Sequence, residues 1–189
     1  MHPVESWTGA CATPDSMSDQ RILVIGYGNP GRADDGLGPA LAERIEALNL
    51  PGLTVESDYQ LSIEHAAMAA EHDIVVFADA DGATGEPFYL RPVEPVPAGQ
   101  FTSHSMAPGE VLHLAHSCFN ASPAGYLLGL RAEVLDQFAE GLSRSAREAL
   151  DAAVEYLPRF IAANQGGSED GRAGAIDGRV DPIGAGKSI

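Results

Sequence analysis

The apolar positions change their period several times along the chain, and each change marks an element. Residues 21–26 carry the unbroken apolar run ILVIG, which stops at a glycine. A run this short and uniform is a strand buried on both faces. After Asp34-Asp35-Gly36, apolar Leu37, Leu41, Ile45 and Leu48 recur at helical spacing and predict a helix over 37–48. Pro51-Gly52 breaks the chain before a second strand, LTVES, at 53–57. SIEHAAMAAE, 62–71, reads as a helix with Ser62 as N-cap. DIVVFADA, 73–80, is the most apolar strand; PFYLRP, 87–92, is a shorter one whose prolines put it near an edge. APGEVLHLAHSC, 107–118, is helical with Pro108 in its first turn, and AGYLLGLRA, 124–132, is a strand. SAREALDAAVEYLPRFIAA, 145–163, is the closing helix; Ser145 and Glu148 are set as a capping box, and Pro158 is expected to kink or end it.

A β-α-β-α-β opening implies right-handed crossovers and a mostly parallel sheet with helices on both faces. The predicted class is therefore α/β, a three-layer α/β/α sandwich around a twisted sheet. Residues 1–19, rich in Ser, Thr, Pro and Ala, lack periodicity and read as a mobile extension. Residues 164–189 are Gly-rich and mixed in charge, and read as a disordered tail. The folded unit is then 20–163, a usual single-domain size.

Charge narrows the partners. Of 189 residues, 44% are hydrophobic and the formal net charge is −16. That balance argues against nucleic acid or an anionic membrane surface, both of which attract basic patches. The two cysteines, Cys11 and Cys118, form no CxxC, so a reducing cytoplasm is the expected compartment. No stretch approaches the roughly 18 apolar residues of a membrane span, and the N-terminus lacks the basic and apolar regions of a secretory signal.

The loop after the first strand spells Gly26-x-Gly28-x-x-Gly31, a literal dinucleotide fingerprint. Asp34 and Asp35 follow at once, where a diphosphate would meet like charge. Pro30 removes an N–H, Arg32 is the loop's one cation, and Glu56 comes late for a ribose-binding acid. A lone GxGxxG is weak evidence, so a phosphate site is disfavoured. Asp34 is the better candidate to cap the helix, which leaves Asp35 over.

Loops at the carboxyl ends of parallel strands form binding sites. Asp79 closes the third strand at that edge, and His104 lies in the loop FTSHSMAPGE, expected to return there. Asp35, Asp79 and His104 would offer two carboxylates and an imidazole, a set suited to Zn, Ni or Cd rather than Mg or Ca. Asp81, ahead of Gly82, reads as a turn aspartate. His113 and His116 read as helix packing, and His65 and His72 as exposed. Ser103 and Ser105 flank His104, but there is no GxSxG elbow and no HExxH.

Gly28-Asn29-x-x-x-x-Asp34-Asp35-Gly36-x-Gly38, FADA ending near Asp79, and Ser103-His104 together resemble the hydrogenase maturation endopeptidases. The resemblance spans most of 21–157. It implies an α/β/α sandwich of the phosphorylase/hydrolase-like kind. It also implies removal of a C-terminal extension from the large-subunit precursor of a [NiFe] hydrogenase after nickel insertion. On it, Asp35, Asp79 and His104 would be the catalytic, metal-contacting residues. The metal would be nickel held by the precursor's cysteines, replaceable by zinc or cadmium, with none resident at rest. Asn29, Asp34, Gln60 and Glu64 would contact substrate, and the protein would be a monomer. Two features depart from many members: Asp35 stands where some carry Glu, and SDYQLSIEH, 57–65, replaces a DGGT-like turn. The latter resembles the branch serving NAD-reducing or related cytoplasmic hydrogenases. A nickel-binding assembly chaperone without protease activity, and a nucleotide-binding module, are the competing readings.

Overall fold

The computed structural model describes residues 20–97, 106–135 and 137–165. The expected extension 1–19, most of the expected tail 164–189, and His104 with its flanking serines lie outside them. The elements are β1 (Ile22–Tyr27), α1 (Leu37–Glu46), β2 (Leu53–Asp58), α2 (Ile63–Ala70), β3 (Ile74–Asp81), β4 (Phe88–Val93), α3 (Pro108–Phe119), β5 (Ala124–Arg131) and α4 (Arg144–Gln165). All nine fall within about two residues of the sequence boundaries, the usual uncertainty of an element end. A 3₁₀ turn, Ala33–Gly36, leads into α1.

The strand order is β2-β1-β3-β5-β4. All neighbours are parallel except β4, which pairs antiparallel with β5 at one edge. PFYLRP thus takes the edge position that its prolines predicted. Side chains of the inner strands alternate between two cores. Ile22 and Val24 of β1 and Ile74, Val76 and Ala78 of β3 face α1 and α4. Leu23, Ile25, Val75 and Phe77 face α2 and α3. The period-2 geometry of a strand covered on both faces explains the unbroken apolar runs. α4 lies across β4 and β5, with Phe88 against Tyr156 and Tyr126 edge-on to Phe160, each pair 5.2 Å between ring centres.

Four local expectations are corrected. Pro158 does not end α4, which continues to Gln165; the core contacts of Leu157 and Ile161 hold the helix across the missing N–H. The cap of α4 is Ser143, whose hydroxyl accepts from the Ala146 N–H at 3.1 Å. Ser145 is buried instead, and Glu148 pairs with Arg144 at 3.1 Å on the helix surface. His65 is not exposed: its Nδ1 accepts from the Ser62 N–H at 3.0 Å, closing a capping box, and its Nε2 lies 3.9 Å from Asp58. His72 is half-buried, with Nδ1 2.7 Å from the Met68 carbonyl and Nε2 2.8 Å from the Thr54 hydroxyl. The imidazoles take local polar partners that apolar periodicity does not register.

The fourth correction concerns Asp34. Its side chain caps no helix. It is fully buried, and its oxygens accept from the N–H groups of Glu133 (2.9 Å), Val134 (2.9 Å) and Ser143 (2.6 Å). The expected substrate contact is therefore an internal clamp between the first loop and the β5–α4 connection. Burial pushes its carboxyl up, but the three N–H groups outweigh that and leave it below its ordinary value.

Close backbone contact seats α1 on the sheet. A Cβ at Gly38 would stand 2.2 Å from the Tyr27 carbonyl oxygen and 2.6 Å from that of Ala78. A Cβ at Gly26 would stand 2.1 Å from the Gly38 carbonyl oxygen. Gly28 has φ +139° and admits the Asp35 carbonyl. The glycines of the loop serve helix–strand approach, which a phosphate fingerprint also needs and which made the motif ambiguous.

Gly38→Ala is expected to lower stability by about 3 kcal/mol or more, because backbone atoms cannot step aside. Gly85→Ala, with nothing near its Cβ, is the neutral control; urea unfolding of both checks this. Asp34→Asn is expected to cost about 2–3 kcal/mol, since an amide cannot accept from three donors with a full charge. The lowered Asp34 value fixes the sign with pH. Its contribution is complete above the ordinary carboxylate range, near pH 4, and disappears as pH falls through the lower folded value. Melting curves from neutral to acid pH should show a wild-type advantage over Asp34→Asn that vanishes in acid.

Candidate functional site

The carboxyl ends of β1, β2 and β3 lie side by side. Gly26 is in register with Ala78 on one side and Ser57 on the other. The next residues, Tyr27 and Asp79, therefore stand together on that rim. The loop after β1 folds back over them: the Gly28 N–H donates to the Asp58 carbonyl at 3.1 Å, and the Asp35 N–H donates to the Arg32 carbonyl at 3.1 Å. Ala33 takes φ 47°, unusual outside glycine, and its N–H donates to the Ala139 carbonyl at 2.8 Å. Both devices hold Asp35 at the mouth of the strands.

Asp35 is half-buried, and its Oδ2 accepts from the Asn29 N–H at 3.1 Å. The Asn29 side-chain oxygen closes the turn by accepting from the Gly31 N–H at 2.9 Å. Asp79 is also half-buried; it accepts from the Ala80 N–H at 2.8 Å and from the Tyr27 phenol. Burial raises the Asp79 carboxyl above its ordinary value, and the charges of Asp35 and Asp81 add to the rise, against the two hydrogen bonds. The Tyr27 hydroxyl is itself pushed well up by burial and by Asp79. Two carboxylates thus share one rim, and the charge of Asp35 disfavours that of Asp79. A cation between them would relieve that repulsion, so the donor set fits a divalent ion.

The structure brings Asp35 and Asp79 together. His104 lies outside the described residues, so its expected place as third donor has no geometry here. Among the described residues, no group of three His, Cys, Asp or Glu side chains is placed to hold a metal. The chain is tied to the rim two positions after His104, where the Met106 N–H donates to the Leu61 carbonyl at 3.2 Å. Gln60 and Glu64 are exposed on the same side, between β2 and the first turn of α2. Asp81 is the turn residue it was expected to be: it accepts from the Ala83 N–H at 2.7 Å, and also from the Tyr89 hydroxyl at 2.8 Å. His113 is half-buried, while His116 is exposed and lies 3.2 Å from the Ser122 hydroxyl. Packing therefore accounts for His113 alone. The residue that sequence reasoning missed is Tyr27. Its signal was its place, one step past a buried strand and level with Asp79 once the strands are aligned in parallel.

No family model matches the chain, and no curated protein matches it in sequence. Solved structures do match in fold. The [NiFe] hydrogenase maturation protease HycI from Thermococcus kodakarensis KOD1 is 22% identical, with a TM-score of 0.60 over 77% of this chain and 94% of that one. The hydrogenase maturating endopeptidase HybD from E. coli is 23% identical, with a TM-score of 0.59 over 76% and 93%. The hydrogenase 2 maturation peptidase from Thaumarchaeota archaeon SCGC_AB-539-E09 is 21% identical, with a TM-score of 0.57 over 76% and 99%. Each match takes in nearly the whole of the solved protein, so the shared part is a complete fold. This chain has the fold of the [NiFe] hydrogenase maturation proteases.

Proposed function

We propose that the protein is a processing endopeptidase of hydrogenase maturation. It removes the C-terminal extension of a [NiFe] hydrogenase large-subunit precursor after nickel insertion. The observation that carries this reading is the pair Asp35 and Asp79, set on one rim of the sheet within a maturation-protease fold, with the charge of Asp35 adding to the raised carboxyl of Asp79. Nickel belongs to the substrate on this reading and arrives with the precursor; zinc or cadmium would fit the same donors. Asp35 and Asp79 grip it, with His104 as the third donor. Bound there, the cation supplies Lewis-acid polarisation of the scissile carbonyl.

The chain's own residues do the rest. The Asn29 N–H and the Tyr27 phenol fix the two carboxylates before substrate arrives, so little reorganisation remains. Half-buried Asp79, its carboxyl raised by burial, is suited to accept a proton from attacking water. Gln60 and Glu64, exposed between β2 and α2, are assigned to precursor recognition. The expected client is a cytoplasmic hydrogenase of the NAD-reducing kind, and the protein works as a monomer in that compartment.

Nickel-loaded precursor incubated with the protein and weighed by mass spectrometry tests the reading. Loss of one C-terminal peptide is expected; tight binding with no mass change would instead make the protein a nickel-binding assembly chaperone. Asp35→Asn, Asp79→Asn and His104→Ala should each slow trimming by about 100-fold or more. Asp79→Asn should melt no lower than wild type at neutral pH, because it removes a charge that the fold disfavours. Wild-type trimming rates in all three variants would defeat the site assignment.

A further inference from the structure

The β2 edge of the sheet has no partner strand among the described residues. Between that edge and α1 lies a groove of about 530 Å³. Pro39, Ala40 and Val55 give it an apolar floor, and Glu43, Glu46 and Glu56 give it an acidic rim. The cation nearest in sequence, Arg44, is committed to Asp151 of α4. A second hollow of about 300 Å³ shares Glu46 and Val55 with the first and extends it to Leu53, where β2 begins. At its other end the groove reaches Pro30 and Gly36, which bracket the loop carrying Asp35. One continuous track therefore follows β2 and opens beside the candidate site.

We propose that this track docks an extended, lysine- or arginine-bearing peptide segment, added as a strand along β2. An unpaired edge offers backbone N–H and C=O groups to an incoming chain, and affinity follows from those bonds. Side chains of an added strand alternate, so every second residue faces the rim. Three carboxylates select basic groups at those positions and set the register. A second copy of the chain is the wrong occupant. Pairing β2 with β2 would set two such rims against each other in molecules that each carry −16. Taken with the proposed function, the occupant is a basic stretch of the protein substrate, led along β2 toward Asp35. The inference deepens that reading, and the test below needs neither nickel nor cleavage, so either can fail alone.

The full chain, isotopically labelled, is titrated with a synthetic peptide of about eight residues alternating lysine and valine, long enough to span β2. Three controls accompany it: a glutamate–valine peptide, the lysine peptide N-methylated along one edge, and the variant Glu43→Gln/Glu46→Gln/Glu56→Gln. The lysine peptide should shift amide signals of β2 and α1 and bind less tightly as salt rises. Its affinity should fall about ten-fold or more in the variant. The N-methylated peptide should bind the wild type about ten-fold more weakly, a result that does not depend on the variant's folding. Equal binding of the glutamate peptide, or shifts outside β2 and α1, would overturn the proposal. So would slow hydrogen exchange at the β2 edge of the free monomer, which marks a terminus of the chain as occupant, or a dimer formed through β2.

Discussion

Gly38 sits where a helix and two strands come closer than side chains allow. With backbone oxygens of Tyr27 and Ala78 only 2.2 and 2.6 Å from where its Cβ would be, the first turn of α1 lies directly on the ends of β1 and β3. That contact fixes the height of the preceding loop above the sheet. Gly28 repeats it one layer out by admitting the Asp35 carbonyl. Asp35 and Asp79 meet because a helix start and a strand end have been pressed together. The chemistry of the rim is a consequence of missing Cβ atoms.

Two neighbouring aspartates then take opposite roles. Asp34 turns inward, gathers three backbone N–H groups and is stabilised as an anion. Asp35 turns toward the rim, where its charge adds to the upward push that burial gives the Asp79 carboxyl. The first spends its charge on the fold; the second leaves its charge at the rim. The rigidity that Asp34 supplies next door holds Asp35 in place at the rim.

Much of this could be read before any coordinates. The apolar runs of β1 and β3 and the helical spacing of Leu37, Leu41 and Ile45 follow from burial, which leaves a direct mark on residue type. The mostly parallel pairing followed from handedness and connection rules, whereas the strand order itself was not read from the sequence. Asp79 stood out because it closes an apolar strand, and Asp35 because it follows an acid already assigned to a cap. What was not legible depends on polar partners far apart in the chain. Asp34 looked like a cap because its true donors lie about 100 residues away. Ser143 lost the cap assignment to Ser145 for the same reason, since its role depends on the loop that Asp34 holds. His65 sits in a capping box whose third position is usually Glu or Gln, so the pattern passed unnoticed. Tyr27 became visible only with β1 and β3 in register.

The Asp34 clamp also sets an order of assembly. Its donors follow it by 99, 100 and 109 positions, so the first loop belongs to the most non-local contacts of the fold. Closing so large a loop is entropically expensive and comes after the neighbouring βα units have formed. During synthesis from the N-terminus, β1, α1 and β3 can pair long before Ser143 leaves the ribosome. A nascent chain therefore carries its sheet early and its finished rim last. An unfinished molecule lacks the settled rim on which Asp35 and Asp79 stand.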